Sequence, residues 1–192
     1  MNSKRQGTLI LYTGSSGVGK GTILAELMKR DDNLRLSVSN TTRAPREGEV
    51  DGVHYNFVSV EEFEKQIEQD GYLEYAKYCD NYYGTPKKQV FELLDEGYDV
   101  FLEIEVQGGV QILEKYPDIL SIFILSPSME VLEHRLNKRG TEDAETIKKR
   151  LEQAEEEIKY KDRYKYNVVN AELEKAVDEI MDILKRERSE NR

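Results

Sequence analysis

Tryptophan is absent from this 192-residue chain, and cysteine occurs once, at Cys79. A single thiol excludes an intrachain disulfide framework and suits a reducing cytosol. The two histidines, His54 and His134, have no cysteine or further histidine at ligand spacing, so a protein-held zinc site is not expected. No apolar run approaches the roughly 18 residues of a membrane span. The opening MNSKRQG reads as a short polar lead-in rather than a signal peptide. No G-x-G-x-x-G occurs, which argues against a dinucleotide fold, and no G-x-S-x-G nucleophile turn. Low-complexity tracts and internal repeats are also missing. Cations are in deficit: 28 Lys and Arg stand against 38 Asp and Glu, a net charge of −10. Such a field repels polyanions overall, so no general nucleic-acid surface is expected, and any anion site must gather its cations locally. A cytoplasmic protein with no membrane and no nucleic-acid partner is the expectation.

What is present begins with Thr8–Lys29, TLILYTGSSGVGKGTILAELMK. An apolar run, Leu9-Ile10-Leu11, passes into a glycine-rich turn and leaves as an amphipathic helix with Ile23, Leu24, Leu27 and Met28 on one face. Strand, glycine loop with lysine, then helix is the layout of a phosphate-binding P-loop. Its members are Gly14, Ser15, Ser16, Gly17, Val18, Gly19, Lys20, Gly21 and Thr22. Glycines let successive backbone N–H groups turn inward as a nest for phosphate oxygens at a helix N-terminus. Lys20 adds a compact positive charge. Gly21 stands where the general pattern has Ser or Thr, leaving Thr22 as the nearest hydroxyl.

Further along, Leu34–Ser39 reads as a strand, 40–52 as a polar loop, and Val53–Val58 as an alternating strand. Ser59-Val60-Glu61-Glu62 is a capping box that starts a helix running towards Gly71. Tyr72–Tyr78 and Asn81–Gly84 read as two strands in a tyrosine-rich stretch. Thr85-Pro86 reads as an N-cap followed by proline at the first helical position. Val100–Val106 and the near-continuous apolar Ile119–Leu125 are expected strands, with a short helix over Val110–Tyr116 between them. A helix opened by Ser126-Pro127 and a long charged helix from Thr141 to about Lys161 follow. The latter has few apolar residues beyond Ile147, Leu151 and Ile158, so burial should anchor it weakly. A strand over Tyr166–Asn170 and an amphipathic helix over Glu172–Arg188 complete the alternation.

This order predicts an α/β fold: a P-loop NTPase-type parallel sheet flanked by helices, with two insertions. The expected single domain has a core of about 1–38, 86–134 and 161–192. A small β-rich insertion covers about 39–85, and a helical lid about 135–160. Ligands in such sheets sit beyond the carboxyl ends of the strands.

Three cation clusters stand apart: Lys20; Arg43 and Arg46; and Arg135, Arg139 and Arg150. Two arginines three residues apart in a loop can converge on one phosphate. Arg135 and Arg139, four apart on one helix face, can point at one anion. Each is equally read as a solvated surface charge. Glu103 and Glu105 are two apart near a strand end, suited to a hydrated magnesium ion, to hydrogen bonds from a substrate base, or to plain solvent exposure.

The segments GSSGVGKGT (14–22), SVSNTTRAPREGEVDGVHYNFVSVEEF (37–63), YLEYAKYCDNYYGT (72–85), FLEIEVQGG (101–109) and RLNKRGTEDAETIKKRL (135–151) resemble those of guanylate kinases, in family order over nearly the whole chain. The resemblance implies ATP and GMP as substrates, with dGMP as a further acceptor, Mg2+ arriving with ATP, and phosphoryl transfer from ATP to the acceptor. It implies that Ser39, Arg43, Arg46, Tyr55 and Tyr83 bind the GMP phosphate and that Glu74, Thr85 and Glu105 bind guanine. The P-loop and Lys20 would hold ATP, while Arg46, Arg135, Arg139 and Arg150 would surround the transferring group. No metal ligand is held directly by the chain, Glu103 acting at most through water. Asn170 falls where an adenine-side loop begins. Ser15 replaces a common proline, Glu103 and Glu105 replace frequent aspartates, and Ala171 replaces a frequent acidic residue. Two rivals are set aside: a phosphopeptide-binding module of the same shape, typically with a degraded P-loop where this chain keeps Lys20 and its glycines, and a P-loop kinase for another acceptor, against which Glu74 and Glu105 decide.

Overall fold

Residues 9–14 form the strand on which everything else is hung. In the computed structural model, which describes residues 5–138 and 143–190, β1 (Leu9–Gly14) lies at the centre of a five-stranded sheet. It pairs in parallel with β7 (Asp99–Glu103) on one side and β8 (Leu120–Leu125) on the other. β2 (Leu34–Leu36) extends the sheet beyond β7, and β9 (Tyr166–Val169) extends it beyond β8.

Successive side chains on a strand leave by opposite faces, and here both faces are covered. Ile10 and Tyr12 meet α1 (Lys20–Arg30), α5 (Met129–Lys138) and α7 (Leu173–Glu190) through Ile23, Leu27, Leu132, Ile180 and Leu184. Leu11 faces the other way, onto α3 (Lys87–Asp95) and α4 (Val106–Lys115) through Val90, Leu94 and Ile112. Double coverage is why these strands read as continuous apolar runs. Asp99, fully buried at the start of β7, is held by the Arg5 and Arg188 guanidiniums and the Thr8 N–H. α6 (Ala144–Ile158) opens on Asp143, whose carboxylate accepts from the Thr146 N–H at 2.7 Å. Ile147 and Ala154 of α6 are buried and Leu151 packs beside them, so the charged helix is anchored along one narrow stripe.

A second sheet, in the order β4-β3-β6-β5, is built from β3 (Asn40–Thr41), β4 (Asn56–Phe57), β5 (Tyr72–Tyr78) and β6 (Asn81–Pro86). Its core is a ring stack: Phe63 of α2 (Val60–Glu68) lies between Tyr72 at 4.3 Å and Tyr82 at 5.1 Å. The expected capping box is formed, with Ser59 and Glu62 each accepting the other's backbone N–H.

Several boundaries differ from expectation. The strand expected over 53–58 shrinks to Asn56–Phe57, while the loop expected over 40–52 contains β3, whose Asn40 donates to the Tyr72 hydroxyl. Thr85 and Pro86 end β6 rather than open a helix; Pro86 is the cap residue of α3 without a side-chain bond. β7 stops at Glu103, and Glu105 becomes the cap residue of α4, which starts four residues earlier than expected. Gly108 and Gly109 weaken helix propensity, yet both are buried in α4 because neighbouring groups approach too closely for any Cβ. The expected helix start at Thr141 lies outside the described residues. Among the described residues no helix is long and apolar enough to cross a membrane.

The β5–β6 turn places two non-glycine residues, Cys79 (φ 46°) and Asp80 (φ 62°), in the left-handed region. Two-residue hairpins favour glycine there. Replacing Asp80 by glycine removes roughly 1–2 kcal/mol of backbone strain against roughly 0.4–1 kcal/mol of added unfolded-state entropy. Asp80→Gly should therefore raise stability by about 0.5–1 kcal/mol in urea unfolding; a loss would show that the Asp80 side chain contributes more than its backbone costs.

Candidate active site

Parallel strands place their carboxyl ends on one edge, and Glu103 is in register with Tyr12 two residues before the loop begins. The chain then turns through residues 15–19 into α1. Gly17 and Gly19 adopt φ of 89° and 95°, and a Cβ at Gly19 would stand 2.6 Å from the Asn170 amide nitrogen. A Cβ at Gly17 would likewise stand 2.8 Å from the Leu136 side chain, so the loop needs glycine at both positions for conformation and for room. Gly21 is different: open space surrounds it. The Lys20 ammonium donates to the carbonyls of Gly14 and Ser15, and its own carbonyl accepts from the Tyr12 hydroxyl at 3.2 Å.

Beside the loop lies a cleft of about 640 Å3 walled by Gly14, Ser16, Lys20, Ser39, Glu103 and Arg150, among others. It continues into a recess of about 300 Å3 that holds Glu74, Tyr83 and Gly108, the two sharing Ser39, Tyr55, Tyr78, Glu103 and Glu105. On the other side of the loop a second recess of about 340 Å3 is walled by Gly17, Gly19, Thr22, Arg135 and Asn170. A larger cavity, about 1060 Å3, opens by the amino ends of β1 and β8. Its Arg5, Lys165 and Arg188 are already paired with Asp99 and Glu187, so size alone does not mark the site.

The expected residues divide between these spaces. Arg150 donates to the Ser16 hydroxyl at 3.0 Å and belongs to the main cleft with Lys20. Arg135 donates to the carbonyls of Asn170 and Val18 and belongs to the outer recess. The P-loop therefore lies between Arg135 and Arg150 rather than beneath both. Arg139 lies outside the described residues. Asn170 also donates to the Val18 carbonyl at 2.8 Å, tying β9 to the loop.

In the smaller sheet, Tyr55 and Tyr83 meet edge to face at 6.0 Å, and the Arg43 guanidinium sits 5.6 Å over the Tyr55 ring with the Tyr83 hydroxyl beside it. Both Arg43 forks are engaged by Glu49, whose carboxylate also accepts the Arg46 N–H at 2.7 Å. That pairing with Arg43, then the Arg46 backbone bond, pulls the Glu49 pKa down to about 2. The Arg46 side chain is exposed and walls neither cleft nor recess.

Glu74 is the unusual member. Tyr72, Leu73 and Glu74 are all buried in succession, which regular alternation forbids; the β5–β6 register shifts between Tyr72 and Tyr75. Such a bulge re-aims a side chain, here turning the Glu74 carboxylate into the recess. The Thr85 hydroxyl donates to it at 2.6 Å, the contact made in place of the expected helix cap. Burial pushes the Glu74 pKa up, opposed chiefly by the Thr85 bond. Burial also raises the Glu103 pKa, with Lys20 opposing. Sequence reasoning assigned nothing to Gly108, yet a Cβ there would stand 2.9 Å from the second Glu74 oxygen. The expected helix starts only at Val110, so Gly108 falls outside it, and its one signal is its place in the FLEIEVQGG segment. Tyr12, buried beneath the loop, was likewise read only as strand.

Among the described residues no three His, Cys, Asp or Glu side chains cluster as a metal cage. The arrangement can instead hold two anionic groups side by side: one in the nest with Lys20, the other by Arg43, Tyr55 and Tyr83, with a buried carboxyl beyond it.

The family model described as guanylate kinase matches residues 5–187. The guanylate kinase of Caldanaerobacter subterraneus subsp. tengcongensis is 51% identical over 184 residues, covering 96% of this chain and 89% of that protein. That of Clostridium tetani is 50% identical, covering 95% and 88%. The crystal structure of guanylate kinase from Anaplasma phagocytophilum superposes with a TM-score of 0.73 at 34% identity, covering 96% of this chain and 87% of that one. Matched by that model over nearly all its length and about half identical to these relatives, the chain belongs to the guanylate kinase family.

Proposed function

We propose that this protein transfers the γ-phosphoryl group of ATP to GMP, giving ADP and GDP, and that dGMP serves as an alternative acceptor. One observation carries the reading: a buried carboxyl, Glu74, lies in a recess continuous with the Lys20 cleft and next to the Tyr55, Tyr83 and Ser39 wall. A carboxylate accepts both the N1–H and the 2-amino group of guanine, whereas adenine offers no such pair. A buried polar group left unpaired by the wrong base discriminates strongly. Because Thr85 already gives its only hydroxyl proton to Glu74, its part is to orient that carboxylate, and its oxygen remains an acceptor. Glu105 borders the same recess as a further base contact.

In this reading residues 39–85 act as the GMP-binding subdomain and 135–160 as a lid on a core of 1–38, 86–134 and 161–192. The nest of 14–22 and Lys20 hold the donor's phosphates. Ser39, Arg43, Arg46, Tyr55 and Tyr83 hold the acceptor's phosphate. A phosphate oxygen of GMP attacks the γ-phosphorus in line as the bond to the β–γ bridging oxygen breaks. The acceptor is already an anion, so no general base is needed, and positioning with charge neutralisation supplies the catalysis. Arg150 beside Ser16, with Arg139, would neutralise the transferring group, while Arg135 serves the donor from the outer side of the loop. Magnesium keeps several waters and takes one or two carboxylates plus phosphates. Glu103, in a cleft with Lys20, suits a metal carried in by ATP, which would neutralise charge on its phosphates. The single free thiol, Cys79, supports a cytoplasmic setting.

A coupled assay with ATP and Mg2+ should show ADP formation with GMP and dGMP but not with AMP or UMP. Lys20→Met should lower kcat at least about 10²- to 10³-fold with the melting temperature kept. Turnover indifferent to the base, or to Lys20, would refute the assignment.

The raised Glu74 pKa has a definite sign. Below its ordinary value of 4.5 this carboxyl favours the folded state, an advantage lost as pH rises through the raised value. Guanine's N–H donors favour the ionised form, so at pH near or below that raised value GMP binding should release a proton, and binding should weaken as pH falls through it. Calorimetry in buffers of different ionisation enthalpy should register the release. Glu74→Gln should abolish the part not due to GMP itself and raise KM for GMP about 10- to 100-fold with KM for ATP unchanged.

Gly108→Ala should push the Glu74 carboxylate aside and raise KM for GMP about tenfold, equivalent to roughly 1.4 kcal/mol. Unchanged GMP kinetics would mean the carboxylate does not contact the base.

A further inference from the structure

Glu49 is an acidic residue standing among the groups that the GMP reading assigns to a phosphate, where its charge has the wrong sign. Its contacts explain why it is there. It meets Arg43 through both oxygens, at 2.9 Å and 2.8 Å, with side-chain exposures of only 14% and 17%. A shielded bidentate pair is unlike the loose ion pairs of a protein surface. The second Glu49 oxygen also takes the Arg46 N–H, and the Glu49 N–H returns to the Arg46 carbonyl at 3.0 Å, so Arg46–Glu49 is a closed turn.

A guanidinium has five N–H donors. Arg43 spends one Nη1–H on the Ala44 carbonyl, at 2.7 Å, and one from each Nη on Glu49. The remaining two, on Nε and the outer side of Nη2, lie along a single edge of the guanidinium plane. That edge is itself a fork of the width that suits two oxygens of a phosphate. The rings of Tyr55 and Phe57, 5.6 Å and 5.9 Å from the guanidinium carbon, and the Tyr83 hydroxyl flank the same group.

We infer that Glu49 is a positioning residue for the acceptor phosphate: it clamps the far edge of Arg43 so that the Nε–Nη2 edge is presented to GMP, and it fixes the turn that carries Arg46. The inference rests on the GMP reading above. Arg43 without its clamp would keep its charge but lose its fixed orientation, and the entropy of a long side chain would be lost at each binding event instead of once on folding. The pairing also keeps Glu49 ionised over any pH at which the enzyme is assayed.

The test is kinetic, on the full chain, with Glu49→Gln and Glu49→Asp. Glutamine keeps an oxygen for the Arg46 N–H but loses the bidentate charge pairing; aspartate keeps the charge and loses a methylene of reach. Glu49→Gln should raise KM for GMP about 10- to 100-fold, with KM for ATP and the melting temperature near wild type. Glu49→Asp should fall between the two. In an Arg43→Ala background the further change on adding Glu49→Gln should shrink below about threefold, since the residue it orients is gone. An unchanged KM for GMP overturns the inference, as does a full additive loss in the Arg43→Ala background. A lowered KM, the outcome if Glu49 acted on GMP only by repulsion, overturns it too. Should Glu49→Gln fail to fold, Glu49→Asp decides by the same readings. Wild-type enzyme that makes no ADP with GMP would refute the functional reading and this inference together; active wild type with indifferent variants refutes the inference alone.

Discussion

Two substrates, each with several negative charges, must meet in line on a chain whose own net charge is −10. Most of the architecture follows from that constraint. Positive potential cannot be spread over the surface, so it is concentrated by geometry. The backbone N–H nest and Lys20 lie at the end of the most buried strand, and arginines reach in from separate segments on both sides of the loop. Three carboxylates near the site have a local partner: Glu49 has Arg43, Glu103 has Lys20, and Glu74 accepts from Thr85.

The fold was largely legible. Central strands covered on both faces show as apolar runs, and α1, α2 and α7 carry clear amphipathic or capping signals. What failed were places where tertiary contact overrides local preference. Thr85-Pro86 has the look of a helix start, but the hydroxyl is drawn into Glu74 and the strand runs on. Gly108 and Gly109 look like helix breakers, yet the helix includes them because the Glu74 carboxylate and the Tyr164 ring come too close for side chains. β3 is two residues long within a polar segment, below what periodicity can detect.

The site was legible in type more than in arrangement. The lysine loop and the paired carboxylates of 103 and 105 follow from spacing, whereas the roles of Glu74 and Thr85 came from family resemblance. No pattern announces the bulge that turns Glu74 inward, because it depends on pairing with a strand further along the chain. Nor did spacing alone reveal that Arg135 and Arg150 would end on opposite sides of the loop. Glu49 carries no signal of its own within the 37–63 segment, and only its contacts with Arg43 and the Arg46 N–H single it out.

The position of β1 also bears on how the chain reaches its native state. Its neighbours in the sheet are residues 100–103 and 120–124, far along the chain, whereas the β5–β6 hairpin closes across a two-residue turn. Long-range parallel pairing pays its loop-closure entropy before any contact repays it. The topology therefore implies an order of assembly in which the small tyrosine-rich sheet can form locally and early. The lysine loop, although near the amino terminus, takes shape only after the carboxyl half has been made. During synthesis on the ribosome, the first functional motif to emerge would be among the last to become competent.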